Sequence, residues 1–132
     1  MCIRDSRLLD THVLLWAAYE PEKLSGSCID KLSDVENDLH FSSVSIWEIG
    51  IKTSLGRSDF TVDAMDFLRG LRLNDYNEMV VKSEHAIAQM RLPMLHRDPF
   101  DRILIAQAIE ERVCLLTADS DVLRYEGPIE KV

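Results

Sequence analysis

The sequence predicts an α/β domain built on a parallel sheet with helices on both faces. Short apolar runs alternate with longer helical segments, and parallel strands need such crossovers. Acidic residues recur where those runs end, at the sheet edge where α/β proteins collect ligands. With 132 residues, 46% of them hydrophobic, the chain is long enough for one domain with its own core.

Residues 1–7 (MCIRDSR) are polar and charged where the following Leu8-Leu9-Asp10 calls for a buried strand. They are expected to be a non-native or disordered tail, with 8–132 forming a single domain. Thr11–Tyr19 is apolar on nearly all sides and reads as a buried helix, which sets Asp10 at a strand's carboxyl end. Glu20–Gly26 is a loop, Ser27–Val35 a more polar helix and Leu39–Ser42 a short strand. Ser43–Leu55 is helical up to Gly56, and Ser58–Asn74 offers a further helix after a loop. Met79–Lys82, with its Val80-Val81 pair, reads as a third strand, followed by a helix over Ser83–Met90.

The stretch His96–Asp121 is the richest. Pro99 suits a first helical position and Asp98 the N-cap before it, opening a helix that runs to about Val113. At 100° per residue, Leu104, Ile105, Ala108 and Ile109 fall within about 80° of Asp101, so this acid lies mid-way across the apolar face. Burying an unpaired charge costs several kcal/mol, so Asp101 must find a proton, a cation or donors. Cys114–Thr117 is a strand that ends at Asp119 and Asp121, and Tyr125–Val132 is a weaker edge-strand candidate because of Gly127-Pro128.

A formal net charge of −8 argues against a general electrostatic grip on nucleic acid, but leaves room for a nuclease whose active-site charge is offset by metal. Cys2, Cys28 and Cys114 form an odd set without a C-x-x-C pair, suggesting neither a disulfide framework nor a zinc site. No membrane-length apolar run or signal peptide is visible, so a soluble, cytoplasmic protein is expected.

Four acids, Asp10, Glu48, Asp101 and Asp119, fall near strand ends or helix starts. Each has a structural explanation. Asp10 suits an N-cap; Ser45-x-x-Glu48 mimics a capping box, and Glu48 can pair with Lys52; Asp98 and Asp101 mimic a cap and its third-position partner; Asp119 can open a last short helix. Capping alone does not predict that these acids follow successive strands at one edge. Clustered carboxylates repel unless a cation neutralises them, and hard oxygen ligands suit one or two Mg²⁺ or Mn²⁺ ions, which support phosphodiester hydrolysis.

The segments LLDTHVLLW (Leu8–Trp16), SSVSIWEIGIK (Ser42–Lys52), HRDPFDRILIAQA (His96–Ala108) and LLTADSDVL (Leu115–Leu123) resemble the blocks of PIN-domain ribonucleases of the VapC toxin type. The resemblance spans nearly the whole chain after the first seven residues. It implies a three-layer α/β/α domain with a four- or five-stranded parallel sheet, and a metal-dependent endoribonuclease paired with a VapB-like antitoxin. It matches Asp10, Glu48, Asp101 and Asp119 to the family's acids, with Asp10 and Asp101 as direct metal ligands, Glu48 holding a second metal or positioning water, and Asp119 acting directly or through water. It also makes a homodimer plausible, with an antitoxin segment filling each active-site groove.

Around these acids, Asp98 is preferred as a cap and Asp121 as a helix-start residue, while Thr11 and Thr117 are candidate supports for a ligand carboxylate or water. Arg97 and Arg102 are candidates for RNA phosphates or for ordinary charge pairing, and Arg57, Arg69, Arg72, Arg97 and Arg102 make up a prospective basic rim. His12, adjacent to Asp10, reads as packed or solvent-facing, and His40, His85 and His96 show no metal-ligand spacing. Trp16 and Trp47 read as core or interface aromatics rather than base-stacking platforms, because each lies within an apolar helix. The rival readings are an aspartyl-nucleophile phosphatase, which lacks its Asp-x-Asp because His12 follows Thr11, a receiver domain without its paired acids and late Lys, and a non-catalytic PIN-like binding domain, although here all four acids are present.

Overall fold

The computed structural model describes residues 5–56 and 61–132. Strand β1 (Ser6–Leu9) leads into helix α1 (Thr11–Tyr19), and α2 (Gly26–Ser33) follows after a short 3-10 turn. Next come β2 (Asp38–Ser42), α3 (Ser43–Ser54), α4 (Ala64–Leu73), β3 (Asn77–Met79), α5 (Ser83–Met90) and α6 (Pro99–Glu111). The chain closes with β4 (Cys114–Thr117), a 3-10 turn at Val122–Arg124 and β5 (Ile129–Lys131). The strands form one five-stranded sheet in the order β3-β2-β1-β4-β5. Every pairing is parallel.

Alternation along the strands builds two cores. Leu9 and Leu116 face one way and pack with Val13, Leu14, Phe41, Ile49, Phe67 and Leu71. Their neighbours Leu8 and Leu115 face the other way, against Leu104, Ile105, Ala108 and Tyr125. Strand order reverses between β1 and β4, and that reversal opens a crevice at the carboxyl edge of an α/β sheet. Among the described residues, no helix is long and apolar enough to cross a membrane.

Several boundaries differ from expectation. Ser6 and Arg7 belong to β1, paired with Asp38 and Leu39 of β2, so the ordered sheet starts ahead of residue 8 and the tail boundary moves; residues 1–4 lie outside the described ones. The third strand is Asn77–Met79 because β2 offers partners only from His40 to Ser42. Val80 and Val81 lie beyond that ladder, 51% and 39% exposed, so β-branching there did not decide pairing. Helix α4 starts only after the Asp63 cap, and the beginning of the expected Ser58–Asn74 helix lies partly outside the described residues. Helix α6 ends at Glu111, where Arg112 turns left-handed with φ 57°. The edge strand β5 forms despite Pro128, whose carbonyl accepts from Leu115 N at 2.8 Å.

Candidate metal centre at the carboxyl edge of the sheet

Asp10 leaves β1 at the crevice and caps α1. Its Oδ1 accepts from Val13 N at 2.8 Å. The Thr117 hydroxyl, at the end of β4, donates to Oδ2. Asp10 N also donates to Leu116 O at 3.1 Å, so backbone and side chain both tie the two strands across the reversal. Burial pushes the Asp10 carboxyl above its ordinary value, against the two hydrogen bonds, and Asp119 adds to the rise. Asp119 itself donates its backbone N–H to Thr117 Oγ1 at 3.0 Å, which places Thr117 between both acids.

Helix α3 brings Glu48. The expected Ser45–Glu48 capping box does not form, because the helix begins at Ser43 with the Ser42 hydroxyl as its cap. Freed of that duty, Ser45 and Glu48 turn to Thr11, whose hydroxyl lies 2.8 Å from Ser45 Oγ and donates to Glu48 Oε1 at 2.7 Å. The other Glu48 oxygen accepts from Lys52 Nζ at 2.6 Å. Glu48 is only 2% exposed, so this ammonium is a close counter-charge for a carboxylate removed from water.

Asp101 enters from the first turn of α6. Asp98 is the N-cap as expected, accepting from Phe100 N at 2.9 Å and Asp101 N at 3.3 Å. Asp101 faces inward, its Oδ2 2.8 Å from His96 Nε2. Its carboxyl is pushed up to about 7, chiefly by burial and further by the charges of Asp98, Asp10 and Glu48, against the opposing hydrogen bond from His96. Three acids from separate elements therefore act on one carboxylate. Partial burial pulls His96 down, but the hydrogen bond and charge of Asp101, with Asp119 and Asp98, outweigh it and raise its pKa.

His96 belongs to the site even though its spacing in the chain gave no sign of it. Ligand atoms of His96, Asp98 and Asp101 lie within 4.8 Å of one another. The signal available was position: a residue just ahead of a capped helix can fold back over its first turn. Asp121 is exposed at the edge of this group, its Oδ2 3.9 Å from His96 Nδ1 and its Oδ1 3.7 Å from Arg124.

Of the expected basic rim, Arg102 is withdrawn into the protein while Arg69, Arg72 and Arg97 stay at the surface. Arg102 is 6% exposed, and its guanidinium donates to the carbonyls of Gln89, Leu92, Pro93 and His96, to the Gln89 side chain and to the Tyr125 hydroxyl. Spent on the 89–96 loop, it is not available to a phosphate; its work is to hold the segment that delivers His96. Arg69 and Arg72 pair with Asp66 and Glu78, and Arg57 lies outside the described residues. Arg97 is exposed. Trp16 packs against the first core, whereas Trp47 is 63% exposed and is not a core residue. His12 faces solvent.

Comparison with known proteins gives a consistent picture. The sequence model of the PIN domain matches residues 7–128. The chain is similar to ribonuclease VapC22 of Mycobacterium tuberculosis (strain ATCC 25618 / H37Rv), with 26% identity over 121 residues and 92% of each chain covered. Its fold is similar to that in the VapBC2 structure from Rickettsia felis bound to a promoter DNA fragment, with a TM-score of 0.72 and 15% identity over 96% of this chain and 98% of that one. DNA-bound VapBC from Salmonella typhimurium gives a TM-score of 0.65 at 16% identity, covering 99% and 98%. At such identities the structural likeness speaks for the fold alone.

Proposed function

Because the chain belongs to the PIN-domain family, which it matches from residue 7 to residue 128, we propose that it is a divalent-metal-dependent endoribonuclease of the VapC type, the toxin of a toxin–antitoxin pair. The curated relative at 26% identity is a ribonuclease of nearly the same length. Of the structural neighbours, VapBC-5 from Mycobacterium tuberculosis is described as a member of a family of toxin–antitoxin systems. The observation that carries the reading is geometric: Asp101 lies with Asp98 and His96, ligand atoms within 4.8 Å of one another, while Thr117 joins Asp10 to Asp119 across β1 and β4 and Thr11, next to Asp10, holds Glu48.

Carboxylate oxygens suit a hard divalent cation, Mg²⁺ or Mn²⁺, and among the described residues the ligand atoms that lie within 4.8 Å of one another are those of Asp98, Asp101 and His96. Asp10 and Asp101 would hold it directly, and Glu48 and Asp119 would hold a second ion or ordered water. When bound, such an ion stabilises developing negative charge and acidifies water for attack on phosphorus. The protein's own part is orientation. Thr117 and the Val13 amide fix the Asp10 carboxylate, Thr11 fixes Glu48, and His96 Nε2 hydrogen-bonds to Asp101 Oδ2 and so orients that carboxylate. An RNA substrate, a VapB-like antitoxin segment over the acidic groove and a homodimeric assembly complete the reading.

The test is RNA cleavage by purified protein with Mg²⁺ or Mn²⁺ and with EDTA. Strand scission that depends on the ion is expected. Phosphorylation of Asp10 without scission would turn the reading toward an aspartyl-nucleophile phosphatase.

A further inference from the structure

The acidic centre has an aromatic flank that the reading above leaves unused. Trp47 immediately precedes Glu48 on α3, and Phe100 immediately precedes Asp101 on α6. Their rings meet edge to face, centroids 5.4 Å apart at 82°. Whichever ring presents its edge, at least one face of the indole is left uncovered by Phe100, in keeping with its 63% exposure. Lys52 joins flank and centre: its Nζ lies 2.6 Å from Glu48 Oε2 and 6.0 Å from the Phe100 centroid.

We propose that the exposed face of Trp47, braced by Phe100, is a stacking shelf for one base of a single-stranded RNA whose adjoining phosphodiester lies over Glu48 and Asp101. The inference rests on the nuclease reading and narrows its substrate. Any base has a π-face, so the shelf tolerates many sequences, but a base already stacked in a duplex cannot reach it. An overall acidic protein gains little from general attraction to phosphate, so stacking gives it a local hold on the strand beside the acids. Cleavage therefore favours loops and single strands, next to an unstacked base.

Trp16 is the other tryptophan of the chain, so Trp16→Phe makes Trp47 the sole indole reporter. In that background Asp101→Asn blocks cleavage, and Trp47 fluorescence is followed with Mg²⁺ and a single-stranded oligoribonucleotide, its copy with an abasic site, and its duplex. Saturable quenching by the single strand, weakened by the abasic copy and lost with the duplex, is expected. In the otherwise native enzyme, Trp47→Ala raises KM about tenfold, in line with stacking energies of about 1–3 kcal/mol per base, with kcat within about twofold, and Trp47→Phe recovers part of the loss. Equal quenching by intact and abasic strands, or an unchanged KM beside undiminished cleavage, overturns the shelf and leaves the nuclease reading standing. A change in molecular mass of Trp47→Ala on gel filtration overturns it too, reassigning Trp47 to a contact between copies of the chain. Absence of ion-dependent cleavage by the native enzyme removes the nuclease reading itself, while the quenching titration still decides whether Trp47 stacks bases.

Discussion

Asp101 and Arg102 are consecutive residues of α6, both are drawn out of water, and the fold treats them in opposite ways. Arg102 receives carbonyl after carbonyl from the 89–96 loop, together with the Tyr125 hydroxyl. Asp101 has His96 as its side-chain partner and feels three other acids. A buried charge surrounded by acceptors that match it is architecture. A buried charge facing others of its own sign is a site awaiting something else, and the difference is visible one residue apart.

The comparison breaks most clearly on the Asp101 side. Asp101→Asn should lower ion-dependent RNA cleavage by about a thousandfold while leaving the fold intact, since on the proposed function it removes a metal ligand and not a packing group. Far-ultraviolet circular dichroism beside a cleavage assay reads both. On the other side, Arg102→Met should cost about 3 kcal/mol in urea unfolding, because the buried guanidinium ties several carbonyls of segment 89–96 to α6. If instead Arg102→Met folds normally and only cleavage suffers, the division between the two residues is wrong.

Protonation sharpens the contrast. A carboxyl raised to about 7 holds its proton in the folded state at pH values where the unfolded chain, near 4, has already released it. Folding stability from Asp101 is thus present below about pH 4 and lost as pH rises toward 7. The raised His96 acts in the same sense, its contribution present below 6.5 and lost as pH climbs through its higher folded value. Protein in EDTA should lose roughly 2 kcal/mol to this pair between pH 5 and pH 8. Asp101→Asn should flatten the slope, and saturating Mn²⁺ should flatten it in the native chain; a slope unchanged in both would show that the acids are not crowded. The smallest expected effect is that of Tyr125→Phe, about 1 kcal/mol in urea, since one of several Arg102 partners is lost.

Much of this was legible from the chain. The placing of Asp101 among Leu104, Ile105 and Ala108 follows from helical period alone, and both the Asp98 cap and the Cys114–Thr117 strand follow from local chemistry. What escaped depended on tertiary neighbours. Val80-Val81 has strand propensity but no partner left on β2, and Ser45-x-x-Glu48 has the letters of a capping box but lies inside a helix that Ser42 had already capped. From the sequence Arg102 is a candidate for RNA phosphates or ordinary charge pairing; nothing local announces a segment folding its carbonyls around the guanidinium. His96 was passed over for the complementary reason, since its role comes from a chain reversal and not from spacing.

The bond between Thr117 and Asp10 spans 107 positions of sequence. Strands that neighbour each other in the finished sheet therefore lie far apart along the chain, and their pairing closes a long loop. Without β4 the Asp10 carboxyl lacks the Thr117 hydroxyl that orients it, so the centre takes shape only as this distant pairing closes the sheet.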